Sequence, residues 1–118
     1  MSDKEVLEAF GTVLITAVRD RALDRFNTIE SGTLKSEQAI ELHQSLKVFT
    51  AEQLQVIKTI VNATVDTTLF NVLSMLEQHE DEMQLLMEGK NICEISDGLA
   101  GELVSSDGWI EKFSKHKV

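Results

Sequence analysis

Between Thr50 and Met87 the chain runs thirty-eight residues without a glycine or a proline, and this stretch limits what everything else can form. Thr50-Ala51-Glu52-Gln53 has the spacing of a capping box: the Thr50 hydroxyl accepts from the Gln53 amide while the Gln53 side chain reaches back. Phe49 before the cap and Leu54 after it stand where a hydrophobic staple sits. Behind the cap, Leu54, Ile57, Val61, Val65, Thr68, Val72, Met75 and His79 recur in steps of three and four, the apolar stripe of a helix. Continued to Met87, that helix would be roughly 55 Å long, against about 35 Å for the diameter of a compact chain of this length. The polar run Gln78-His79-Glu80-Asp81-Glu82 breaks the stripe, so the spacing predicts a central helix over about 51–80. Met83 to Met87 then reads as an extended piece, and Glu88-Gly89-Lys90-Asn91 as a turn.

The same stretch carries a second seam. Val56, Ile60, Ala63, Thr67 and Phe70 recur on the opposite side of the helix. A helix apolar on two sides is normally central in a bundle, with neighbours on both faces. The alternative is a self-association surface, a homodimer through Val56, Ala63 and Phe70.

Shorter pieces flank this element. Ser2-Asp3-Lys4-Glu5 is another capping box and opens a first helix, with Leu7, Phe10, Leu14, Ala17 and Val18 as its inner face. Past Arg19 the apolar positions rotate to Ala22, Phe26 and Ile29, so the helix must bend or change neighbours there. Gly32 is placed for a left-handed cap. A shorter helix is expected within Thr33 to Phe49, starting after Ser36, with Ile40, His43, Leu46 and Phe49 facing inward. Beyond residue 90, Ser96-Asp97-Gly98 and Ser106-Asp107-Gly108 echo each other; each Asp is placed to cap a short helix, about 98–104 and 108–114. Trp109 is expected to anchor the second with Ile110 and Phe113, and the end from Lys115 to Val118 to fray. The fold class read from these patterns is mainly α: one helical domain over 1–118, a small bundle around the long central helix with a C-terminal segment of short helices.

The charge pattern bears on function. The chain of 118 residues has a formal charge of −9, and residues 76–111 hold ten acidic groups against one lysine. Such a surface argues against nucleic acid and against an anionic membrane, both of which need clustered cations; the chain has no apolar run long enough to cross a bilayer. A single cysteine, Cys93, and the absence of a signal-like start suit the cytoplasm. The partner such a chain suits is a basic protein, met at Glu77, Glu80, Asp81 and Glu82 and along the acidic third to Glu111. The expectation is a non-enzymatic interaction or regulatory module, immunity or antitoxin-like in one form.

Glu41-x-His43 and Glu77-x-His79 have the wrong spacing for a di-iron bundle, since i,i+2 residues point to different sides of a helix. His79-Glu80 lacks the second histidine of a zinc protease motif, and the residues before Gly98 and Gly108 do not supply an EF-hand. No cofactor, catalytic residue or metal centre is therefore assigned. The alternative is a small-ligand or metal site where His43 and His79 meet, joined by Glu80 or Asp81. Arg19, Arg21 and Arg25 fall within seven residues; they form either an anion site or a set of structural ion pairs with Asp24 and the acidic run at 77–82.

Overall fold

The computed structural model describes residues 1–116. It is mainly α-helical and ordered as the patterns require: α1 (Asp3–Leu14), a π-helical turn (Ile15–Arg19), α2 (Asp20–Ser31), α3 (Glu37–Leu46), α4 (Ala51–Gln78), a two-stranded hairpin of β1 (Leu86–Met87) and β2 (Lys90–Asn91), α5 (Leu99–Val104) and α6 (Trp109–Phe113). Both capping boxes form: Glu5 N–H donates to Ser2 Oγ at 3.2 Å and Gln53 N–H to Thr50 Oγ1 at 3.2 Å, with the reciprocal bonds present. Ser36 caps α3 by accepting from Ala39 N–H.

The rotation expected near Arg19 has a physical cause. Asp20 N–H bonds to the carbonyl of Ile15, five residues back, so one extra residue enters the turn and shifts the inward positions around the axis. Ile15 and Arg19 become fully buried, while Ala17 and Val18, expected inside, face outward. After the turn Leu23 is the buried apolar position, with Phe26 and Ile29 half-buried and Ala22 exposed. Gly32 closes α2 at φ 76°, with Gly32 N–H on Ile29 O and Thr33 N–H on Thr28 O, the bond pair of a Schellman cap.

In α4 the inward face follows the expected stripe only as far as Val65. It then continues through Leu69, Leu73 and Leu76, each one residue beyond the expected Thr68, Val72 and Met75 and so turned about 100° from them. Val72 and Met75 remain about two-fifths exposed. In α3, Ala39 is the buried position; Ile40 and Phe49 face outward, and the helix ends at Leu46.

One core forms at the C-terminal half of α4. Leu69, Leu73 and Leu76 meet Leu7, Ile15, Ile92, Leu99, Leu103 and Trp109. Trp109, 2 % exposed, meets Phe10 edge-on at a centroid distance of 5.6 Å. The approach of α6 to α1 depends on Gly11, where a Cβ would stand 2.5 Å from the indole. The hairpin turns on Glu88 and Gly89 at φ 53° and 75°, a type I′ geometry. The N-terminal half of α4 projects from this core. The molecule measures 49 × 29 × 25 Å with a radius of gyration of 16.9 Å, against about 13.5 Å for a compact chain of this length.

Candidate functional site

The acidic run begins inside the last turn of α4. His79 ends the helix at φ −119°, its N–H on Met75 O, and Glu82 and Met83 N–H groups return to the His79 carbonyl. This tight reversal sends neighbouring carboxylates in different directions. Glu77 accepts from Ala100 N–H at 2.7 Å. It thereby caps α5 from across the chain, a role expected of Asp97. Neither α5 nor α6 has a side-chain cap from its own N-cap residue, Gly98 or Gly108, and the Asp97 and Asp107 side chains make no cap bond to either helix. Glu80 accepts from Asn91 Nδ2 at 3.1 Å, and Asn91, 6 % exposed, accepts from Cys93 N–H with its side-chain Oδ1. Glu77 and Glu80 are thus clasps between α4 and the C-terminal segment. Asp81 is exposed, and Glu82 is exposed beside His79, with Oε1 2.9 Å from His79 Nδ1.

Further along the acidic third, Glu88, Glu94, Asp97, Asp107 and Glu111 are exposed. Its single lysine, Lys90, is bound to the Asp3 carboxylate. Glu102 is half-buried. Burial above all, then the negative field of Asp97, outweighs the opposing Lys112 and raises its carboxyl above the usual range; Asp107 and Glu8 add to the rise. Burial, with Glu80 and Glu77 behind it, also pushes the Cys93 thiol up, the opposite of what a nucleophilic thiolate needs.

The two histidines do not share a site. His43 Nδ1 donates to the Ile29 carbonyl at 3.0 Å, locking α3 onto the end of α2, and its ring is what a Cβ at Gly32 would strike at 2.8 Å. His79 stands at the far end of α4, beyond a 28-residue helix of about 42 Å. Among the described residues no group of three or more His, Cys, Asp or Glu side chains is placed to hold a metal.

The three arginines also separate. Arg19 is fully buried: Nε donates to Asp66 Oδ1 at 2.6 Å and Nη2 to Oδ2 at 3.3 Å, while Nη1 donates to Ser114 Oγ at 2.8 Å and to His116 O at 2.5 Å. Ser114 Oγ donates in turn to Asp20 Oδ1 at 2.5 Å, and Asp20 Oδ2 takes Lys115 N–H. Arg19 is therefore the hub that fastens α2, α4 and the C-terminal segment, and its carboxylate partners are Asp66 and Asp20 rather than the run at 77–82. Arg21 and Arg25 are exposed and make no ion pair among the described residues. The expected fraying does not reach Lys115 and His116, which bind Asp24 at 2.8 and 2.7 Å; Lys117 and Val118 lie outside the described residues. The sequence did hold a sign of this hub: Asp66 is the only acidic residue between Glu52 and Glu77, on the side of α4 that also carries Asn62 and Leu69.

The described residues include no helix long and apolar enough to cross a membrane. Comparison of the chain with protein-family models, curated proteins and solved structures finds no match.

Proposed function

We propose that this protein is a non-enzymatic interaction module, suited to a reducing cytosol, that receives a basic protein on the acidic surface of residues 77–111. The observation that carries the reading is the disposition of charge there. Asp81, Glu82, Glu88, Glu94, Asp97, Asp107 and Glu111 all face outward, and the one cation of the region is neutralised by Asp3. Fixed negative charge of this density raises the local concentration of a cationic partner and its rate of arrival. Inhibition of a basic protein, as an immunity or antitoxin protein does, would be one concrete form.

The internal roles of Glu77 and Glu80 decide how the reading is tested. Reversing those residues would break the clasps to Ala100 and Asn91 and confuse binding with folding. Asp81→Lys, Glu82→Lys and Glu111→Lys change only outward carboxylates. Capture from a lysate of the source cell should recover a basic protein with the wild type and lose it with the triple variant, whose circular dichroism stays unchanged. Recovery of the same proteins by both would overturn the reading.

A further inference from the structure

The exposed side of α4 is a surface of this acidic molecule built without charge. Val56, Ile60, Ala63, Thr67 and Phe70 recur in steps of four, three, four and three, the 3.5-residue period of a coiled-coil seam. Val56 and Ile60 are 59 % and 58 % exposed and Phe70 39 %, so the helix is not packed on both sides within one chain. Between Gln53 and Leu76 the helix has only two charged residues, Lys58 and Asp66, and both are held in ion pairs, with Glu30 at 3.2 Å and Arg19 at 2.6 Å.

The first half of the helix is poorly supported. The buried residues of α4, Leu69, Leu73 and Leu76, all lie in its second half. Nine of the thirteen residues from 56 to 68 are Val, Ile or Thr, whose branched side chains lose rotamer freedom in a helix. Helices of this composition are held by packing rather than by propensity. A partner on the open face would supply that packing.

From these observations we infer that two copies of the chain pair through α4, antiparallel and about a two-fold axis. A seam without charge offers nothing to a cationic partner and does not repel an identical chain, although the rest of the surface does. A copy carries the matching 3.5-residue period, as an isologous interface requires. Ala63, at the middle of the seam, lets the two backbones approach. A parallel pair would set the two runs from Glu77 to Glu82 side by side. The antiparallel pair instead sets each against the other chain's Lys47 and the positive end of its α4. From Gln53 to Leu76 the strip is about 36 Å long and ~10 Å wide, roughly 360 Å² in projection on each copy. That is about half of the ~800 Å² per partner of a standard interface, so the pair is weak and forms with rising concentration. This inference uses a different surface from the acidic one and stands or falls separately from it.

Sedimentation velocity from low micromolar to millimolar protein tests it. The wild-type mass should rise from the 13.2 kDa of one chain toward twice that value. Ile60→Glu and Val56→Glu, both at exposed positions, should remain single chains with unchanged circular dichroism. In a Cys93→Ser background, Val56→Cys mixed with Phe70→Cys should form more inter-chain disulfide than Val56→Cys alone. A wild type that stays at one chain's mass throughout would overturn the inference, as would Ile60→Glu and Val56→Glu variants that pair like the wild type, or Val56→Cys cross-linking best to itself.

Discussion

Arg19 is the residue on which the packing of three segments turns, and its sequence neighbourhood only half discloses it. The cluster of Arg19, Arg21 and Arg25 is visible in the sequence, but residues two and six apart occupy different sides of a helix, and the π-helical turn decides which one goes inside. Its partners are 47 and 95 residues away, beyond the reach of local patterns. A guanidinium can serve Asp66, Ser114 and the His116 carbonyl together because its donors form a rigid fork; a lysine cannot. Arg19→Met should lower stability by about 3–5 kcal/mol in urea unfolding, because it leaves buried Asp20 and partly buried Asp66 without a countercharge. Arg19→Lys should recover only a minor part of the loss. Glu102 gives a prediction of opposite sign. Its folded carboxyl titrates above the unfolded value because burial and then Asp97 oppose its charge. Stability is therefore complete below the unfolded carboxyl pKa and declines as pH rises through the folded one. Glu102→Gln should raise the melting temperature at pH 7 and lose that advantage near pH 3, measured by scanning calorimetry at both.

At the scale of elements, ends were more legible than faces. Ser2, Ser36 and Thr50 cap their helices as local chemistry dictates, and α4 stops at Gln78 where the polar run begins. Faces depend on what lies opposite. Along α4 a three-residue step from Val65 reaches Thr68 and a four-residue step reaches Leu69. Both are helical spacings, and only the core of Leu7, Leu99 and Leu103 selects the second. The cap of α5 escapes local pattern for a related reason, since Glu77 supplies it from 23 residues away. The hairpin carries a local conflict of its own. Glu88 takes the first position of a type I′ turn at φ 53°, where asparagine fits far better. Glu88→Asn should gain about 0.5–1 kcal/mol by relieving that backbone. Glu88→Val, branched at Cβ, should lose at least as much. Thermal unfolding of both variants reads the difference.

The whole molecule presents two surfaces whose chemistry differs enough to separate them by salt alone. Its 49 Å length comes from a helix that outruns its core, and its excess charge lies in the last third of the sequence, from the end of α4 through α6. Capture of a cationic protein on Asp81, Glu82 and their neighbours is Coulombic, so it should weaken as ionic strength rises and the Debye length contracts from ~10 Å at 0.1 M toward 3 Å at 1 M. Pairing through the uncharged seam of α4 works against the repulsion of two chains of −9 each, so the same salt should strengthen it, through screening and through burial of apolar surface. Sodium chloride titrated from low to near-molar concentration should therefore move the two associations in opposite directions, read as partner retention on a column and as weight-average mass in sedimentation. Loss of both with salt would place the seam contact among the charged groups and remove the case for α4. Indifference of partner capture to salt would remove the case for the acidic surface and leave pairing through α4 untouched.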